Sequence, residues 1–276
     1  MRSLENRTVV ITGASAGIGA AAARQLVATG ADLVLVGRSP ERTERVAAET
    51  GARWFTADFA RLVDVRRLAE DLRAACPAVH VLVNNAGAIN NTRTRTEDGH
   101  ELTIQANHLA PFLLTHLLAD RLPPGARVVT TSSGAHAAGR LDVADLSGER
   151  LKYRPLAAYA ASKLANLLFA QELARRTRLV SVACHPGAVA SDFFRGEGLV
   201  SALMRSPLGR LLTRTAEQGA EPLVRAVTAP AETVNGAYLT PRGSAKPKGD
   251  GNNAALASAL WTASRRALDL TEDPFS

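Results

Sequence analysis

The chain has 276 residues, 46% of them hydrophobic and 21% charged, with a formal net charge of +7. That length and composition suit one soluble α/β domain with a large core. They come with no apolar run near the ~20 residues of a membrane span. The opening MRSLENRTVVITG has no apolar signal region, so a cytoplasmic location is the expectation. Cys76 and Cys184 are too few for a disulfide framework and lack metal-ligand spacing, so no metal is expected. The excess charge is mostly scattered arginine with no aromatic-basic patch, which argues against nucleic acid.

The first β-branched run, Thr8–Thr12, leads into TGASAGIG (Thr12–Gly19) and then a helical stretch, Ala20–Ala28. Gly13, Gly17 and Gly19 let the backbone approach a pyrophosphate, whose charge the helix N-terminus favours. A tight strand-to-helix turn also wants glycine, so it is the placement after an N-terminal strand that gives the pattern weight. The second strand, Leu33–Val36, closes on GRSP. An acidic residue there would accept from the ribose of NAD. Arg38 instead offers a fork suited to a 2′-phosphate, with Ser39 beside it. Ala16 stands where a second basic support would sit, and Arg38 could equally be a surface residue at a helix start. NADP is favoured over NAD.

Further strands follow at Arg53–Thr56, Val79–Asn84, Arg127–Ser132, Leu179–Cys184 and Ala237–Leu239. They alternate with helical stretches such as Leu62–Ala75, Leu102–Leu118 and Leu156–Ala174. Strands separated by helices predict right-handed crossovers and a seven-stranded parallel sheet covered on both faces, in a single domain spanning 1–276. The least regular parts are Gly134–Pro155, Asp192–Thr215 and Pro241–Asn253.

Within the helix after the fifth strand, AYAASKLAN places Tyr159 and Lys163 four apart, on one face. A free phenol, with a pKa near 10, is a poor acid–base catalyst at neutral pH. A lysine cation beside it would stabilise the phenolate and lower that value. In isolation the pair could equally be a packed ring and a solvated charge. Ser133 ends VVTTSS, where a hydroxyl can hold a carbonyl oxygen. Strand alternation sends only one of Ser132 and Ser133 towards a cleft.

These motifs together resemble the short-chain dehydrogenase/reductase superfamily over nearly the whole chain, which implies a Rossmann fold with a doubly wound sheet. The resemblance implies a pyrophosphate cradle of Gly13, Ser15, Ala16, Gly17, Ile18 and Gly19. It places Asp58, with Phe59, at the adenine, and Asn85, Ala86 and Gly87 of NNAG by the adenine ribose. It puts Pro186, Gly187 and Val189 beside the nicotinamide, with Ser191 standing where many members carry a threonine. Asn107, Ser133, Tyr159 and Lys163 match the catalytic tetrad. Tyr159 would exchange the proton, Ser133 orient the substrate oxygen, Lys163 also grip the nicotinamide ribose, and Asn107 anchor a water leading to Lys163. The implied reaction is hydride transfer between NADP(H) and a carbonyl or alcohol, and a homodimer or homotetramer is the expected assembly.

NHLAPFLLT (Asn107–Thr115), SSGAH (Ser132–His136), SKLAN (Ser162–Asn166) and GAYL with Trp261 look like the branch holding retinol dehydrogenases and WW-domain oxidoreductases. The anchoring segment and WW modules of that branch are not seen, so a retinoid is not singled out. His136 could reach a substrate or be structural. The stretch 192–215 carries Phe193, Phe194, Leu199, Val200, Leu203, Met204 and Leu208 around Gly196 and Gly198. It reads as a lid over a lipophilic carbonyl or alcohol, or else as a packed amphipathic helix. The alternative for the whole chain is a non-catalytic NADP(H)-binding sensor or scaffold. An enzyme of nucleotide sugars would carry a longer C-terminal substrate domain.

Overall fold

The computed structural model describes residues 3–150, 152–188 and 214–275. Its sheet has the order β3-β2-β1-β4-β5-β6-β7-β8. The strands are β1 Thr8–Thr12, β2 Asp32–Gly37, β3 Arg53–Thr56, β4 Val81–Asn84, β5 Arg127–Thr131, β6 Val180–Cys184, β7 Tyr238–Thr240 and β8 Gly243–Ala245. The helices are α1 Gly17–Val27, α2 Pro40–Thr50, α3 Leu62–Ala75, α4 Leu102–Ile104, α5 Ala110–Leu117, α6 Pro155–Arg176, α7 Ala216–Thr228, α8 Ala231–Val234 and α9 Ala254–Ala267. From β3 to β7 all neighbours pair in parallel. The chain order reverses between β1 and β4, a switch point whose carboxyl-end crevice is where open α/β sheets bind ligands.

The expected seven-stranded parallel sheet is corrected by one strand. β8 pairs antiparallel with β7 through Tyr238↔Ala245, Leu239↔Ser244 and Thr240↔Gly243. Gly243 allows the return with a φ of +111°, and Thr240 Oγ1 donates to its carbonyl at 3.0 Å. A three-residue strand of Gly, Ser and Ala has no apolar alternation, so nothing in its side chains marks it out.

The central strands are apolar on both sides, as a sheet covered on two faces requires. In β1, Val9 and Ile11 face the core under α1, α2 and α7, while Val10 faces the core under α3 and α5. The residues between Leu102 and Leu117 do not form one regular helix. A π-helical turn, Gln105–Leu109, joins α4 to α5 and carries Asn107. Among the described residues, no helix is long and apolar enough to cross a membrane.

Candidate active site

The carboxyl ends of β1 and β4 are sewn together by side chain to main chain bonds. Thr12 Oγ1 donates to Val83 O at 3.1 Å and accepts from the N–H groups of Asn85 at 3.0 Å and Ala86 at 3.1 Å. Asn85 Nδ2 returns a bond to Thr12 O at 3.0 Å. This close approach explains Gly13, whose φ is +66° and where a Cβ would lie 2.8 Å from Ala86 Cα. A Cβ on Gly19 would lie 2.3 Å from Gly13 O, so helix and strand meet through two glycines. Gly17 differs: its φ is +55°, but a Cβ there would meet nothing within 4 Å.

That open side fits a bound pyrophosphate. α1 starts at Ala16 with no side-chain cap and no acidic residue in its first turn, which leaves main-chain N–H groups for an anion. Ser15 and Ile18 are half-buried on either side, Ile18 against the core. Arg38 is exposed at the end of β2, with no hydrogen bond or ion pair to the described residues. Ser39 is engaged: it caps α2 by accepting from Arg42 N at 3.5 Å and donates to Glu41 Oε2 at 2.9 Å. Asp58 shapes the turn after β3, accepting from Ala60 N at 3.0 Å. Phe59 turns its ring into the core, which leaves only its main chain for the adenine it was expected to meet.

The four tetrad candidates converge at the ends of β4 and β5. Ser132 Oγ donates to Lys163 O at 2.7 Å and is buried, so Ser133 is the serine facing the cleft. Ser133 hydrogen-bonds the Tyr159 phenol. Its Oγ also accepts from Ala135 N at 3.2 Å. Lys163 is fully buried; its Nζ donates to Thr131 O at 3.1 Å and lies 5.5 Å from the Tyr159 ring centroid. Burial pushes the Lys163 amine down to about 8.

The expected lowering of the Tyr159 pKa by Lys163 is corrected. Burial of the hydroxyl end pushes the phenol up, and the hydrogen bond from Ser133 is the influence that opposes it. Lys163 Nζ stands over the ring and donates to Thr131 O.

Asn107 sits under all of this. Its Oδ1 accepts from Ala88 N at 2.7 Å, while Nδ2 donates to Ala88 O at 2.8 Å and Ser162 Oγ at 2.9 Å. Ser162 in turn donates to Tyr159 O at 2.8 Å. The π turn thus ties the loop after β4 to the helix carrying Tyr159 and Lys163. Gly87 makes room for the contact: a Cβ there would lie 3.1 Å from Asn107 Oδ1 and 3.3 Å from Lys163 Nζ. Pro186 and Gly187 follow β6 beside this group, Gly187 with a φ of +88°. Val189, Ser191 and the lid stretch up to residue 213 lie outside the described residues.

Two histidines complete the floor. His136 is buried and structural: Nδ1 donates to Ser133 O at 2.7 Å and Nε2 accepts from Lys248 N at 3.2 Å. His185 carried no signal in the sequence, because it works on main-chain groups that no motif displays. Its Nδ1 accepts from Gly134 N at 3.1 Å and Gly187 N at 3.3 Å.

The short chain dehydrogenase family model matches residues 7–198, and the chain belongs to that family. It is an oxidoreductase of the branch that includes retinol dehydrogenases. A putative daunorubicin C-13 ketoreductase, DnrU, of Streptomyces sp. strain C5 is 44% identical over 96% of this chain and 93% of its own length. Mouse polyprenol dehydrogenase is 40% identical over 92% and 82%, and human retinol dehydrogenase 11 is 36% identical over 98% and 88%. Among solved structures, a putative uncharacterized protein from Mycobacterium paratuberculosis superposes with a TM-score of 0.82 at 32% identity, over 100% of this chain and 97% of that one. A Burkholderia cenocepacia short chain dehydrogenase in complex with NADP gives 0.69 at 28% identity, over 87% and 97%.

Proposed function

We propose that the protein is an NADP(H)-dependent reductase of lipophilic ketones or aldehydes, with Tyr159 as the proton donor. The observation that carries this is the half-buried Ser133–Tyr159 pair with the buried Lys163 against the ring. A dinucleotide bound over the glycine turn supplies the hydride. The residues of the chain do the rest. Ser133 holds the substrate oxygen within reach of the phenol. Tyr159 releases its proton to that oxygen as negative charge grows there. Its raised pKa keeps it protonated at neutral pH, the form in which a reductase begins its cycle.

Lys163 keeps two N–H donors beyond its bond to Thr131 O, which suits the hydroxyls of a ribose. Arg38, exposed and without a partner among the described residues, suits a 2′-phosphate and so favours NADP over NAD. The relatives' names support the substrate class: a putative daunorubicin C-13 ketoreductase names a carbonyl substrate, and a polyprenol dehydrogenase and a retinol dehydrogenase name apolar alcohols.

The test is turnover of a panel of lipophilic ketones and aldehydes with NADPH and NADH, run beside Tyr159→Phe. That variant keeps the ring and removes the donor. Turnover is expected to fall at least ~100-fold, the usual contribution of a general acid, with dinucleotide binding retained. Full turnover by Tyr159→Phe would overturn the reading. So would a dinucleotide that binds while no member of the panel reacts, which would favour the sensor or scaffold.

A further inference from the structure

His185 stands at the end of β6 and belongs to neither the tetrad nor the cofactor contacts expected from the sequence. Its own N–H donates to Leu239 O at 2.7 Å, which extends the β6–β7 ladder by one rung and fixes its main chain. Its ring lies parallel to Tyr238, with planes 9° apart and centroids 6.5 Å apart. From that position one ring nitrogen, Nδ1, takes the Gly134 N–H at 3.1 Å and the Gly187 N–H at 3.3 Å. Gly134 follows Ser133. Gly187 belongs to the loop after β6.

An imidazole nitrogen that accepts two N–H groups carries no proton, so the ring is the neutral Nε2–H tautomer. Burial, with the neighbouring His136 as a second cause, holds its pKa down to about 4. The turn is gripped from its other side by His136, whose Nδ1 donates to Ser133 O at 2.7 Å. His136 also meets the Tyr238 ring edge-on, with centroids 4.9 Å apart. Ser133 is therefore held at its carbonyl by one histidine and at the next N–H by the other. Space confirms the closeness: a Cβ on Gly134 would lie 3.2 Å from His185 Nε2.

We infer that His185 is a positioning residue that couples the Ser133 hydroxyl to the Gly187 loop through one shared acceptor. The inference rests on the reading above, in which Ser133 holds the substrate oxygen and the Pro186–Gly187 loop borders the nicotinamide. In that reading the distance between those two elements sets how the carbonyl meets the hydride donor. Errors of about 1 Å in such a distance cost up to ~100-fold in rate.

The test separates the acceptor from the bulk. His185→Asn places an amide oxygen at the same two-bond reach from Cβ as Nδ1 and so keeps the acceptor. His185→Leu keeps bulk and loses it. For His185→Leu, kcat is expected to fall ~10- to 100-fold with NADPH affinity, read by fluorescence titration, little changed. For His185→Asn, kcat should return to near the wild-type value. Should His185→Leu fail to fold, Gly134→Ala serves: its Cβ presses on Nε2, so kcat should fall alone and recover in combination with His185→Asn, which lacks that nitrogen.

Wild-type kcat in His185→Leu would overturn the inference, as would His185→Asn being as impaired as His185→Leu. Absence of recovery in the Gly134→Ala combination would overturn it too. Tyr159→Phe, run alongside, keeps the two failures apart. If it is crippled while the histidine variants fail these expectations, the inference on His185 falls and the catalytic reading stands. If it is fully active, the catalytic reading falls.

Discussion

At the end of β5, Lys163 carries a cation into the interior with Thr131 O as its acceptor, and no carboxylate among the described residues lies within ion-pairing distance. In the C-terminal tail, Asp273 carries a carboxylate to a similar depth but is ringed by donors. Trp261 Nε1 reaches it at 2.8 Å, Phe275 N at 3.1 Å and Arg265 Nη1 at 3.5 Å. Trp261 is itself wedged against Phe112, with ring centroids 5.1 Å apart, and Arg176 Cζ stands over its ring, 5.1 Å from the centroid. A buried charge costs free energy unless it is paired and hydrogen-bonded. Asp273 meets that condition and helps hold the tail. Lys163 does not, and its cost is one the fold alone gives no reason to bear.

The comparison is sharpened first by Lys163→Met. The amine falls from an ordinary value of 10.5 to about 8, a shift on the order of 3 kcal/mol. The sign is direct: at pH 7 the lysine is charged both folded and unfolded, so the whole penalty applies, and it is relieved only as pH rises past 8 towards 10.5. Lys163→Met is therefore expected to raise the Tm of the cofactor-free protein by several degrees, at roughly 2–4 °C per kcal/mol for a chain this size. It should also lower turnover by ~100-fold or more, as loss of a transition-state contact would. Calorimetry and steady-state kinetics on the same preparation check both halves. A drop in Tm would mean that Lys163 is structural.

Arg38 offers a third case, a cation at the surface with no partner among the described residues. In Arg38→Asp a phosphate-binding fork becomes a repelling carboxylate. The ratio of kcat/KM for NADPH to that for NADH should fall roughly tenfold or more, through charge complementarity. An unchanged ratio would return Arg38 to the ordinary surface. Glu41 bears on the same corner, because Ser39 already donates to its carboxylate at 2.9 Å.

Asp273→Asn breaks the comparison from the other side. The amide keeps one acceptor and the shape but leaves Arg265, three-quarters buried, without its counter-charge. A loss of about 1–3 kcal/mol is expected, seen as a lower Tm, with kcat and KM within twofold of wild type. A kinetic defect comparable to that of Lys163→Met would show that the tail and the site are not separate in function.

Much of this was legible in the sequence where residue type and spacing speak together. Tyr159 and Lys163 four apart, the glycines after a first strand, and the run NNAG all name their chemistry by pattern. Alternation left Ser132 and Ser133 open, and the bond from Ser132 to Lys163 O decides between them. What could not be read works through the main chain or across long separations. His185 acts on two backbone N–H groups, and Asp273 meets His116 from 157 positions away as a near neighbour, 3.9 Å from Nε2. Asn107 was found by resemblance, yet the π turn that aims it has no apolar signature. The pKa of Tyr159 moves the other way because burial outweighs its polar neighbours, and a shared helix face does not display burial.

The smallest expected effect concerns the histidines around that tail. His116 is buried, stacks on Phe112 with centroids 4.1 Å apart, and donates from Nδ1 to Phe112 O at 3.0 Å. Its Nε2 has no hydrogen-bond partner among the described residues. Burial holds its pKa down to about 4, the bond to Phe112 and the charge of Asp273 pull upwards, and Arg265 pushes further down. Unfolded, the same imidazole takes its proton near 6.5. Between pH 6.5 and about 4 the unfolded chain therefore binds the extra proton, so stability is fully present above that window and is lost as pH falls through it. One histidine contributes at most about 1.4 kcal/mol per pH unit. His108 and His185, also lowered to about 4, keep their shares when His116 is replaced. His116→Phe retains the stack and removes one titration along with the orphaned nitrogen. Its Tm should drop less between pH 7 and pH 5 than that of the wild type, with the two curves parallel above pH 7. Equal drops in both proteins would mean that the buried ring escapes to water before it titrates, and that the packing of the tail does not hold it.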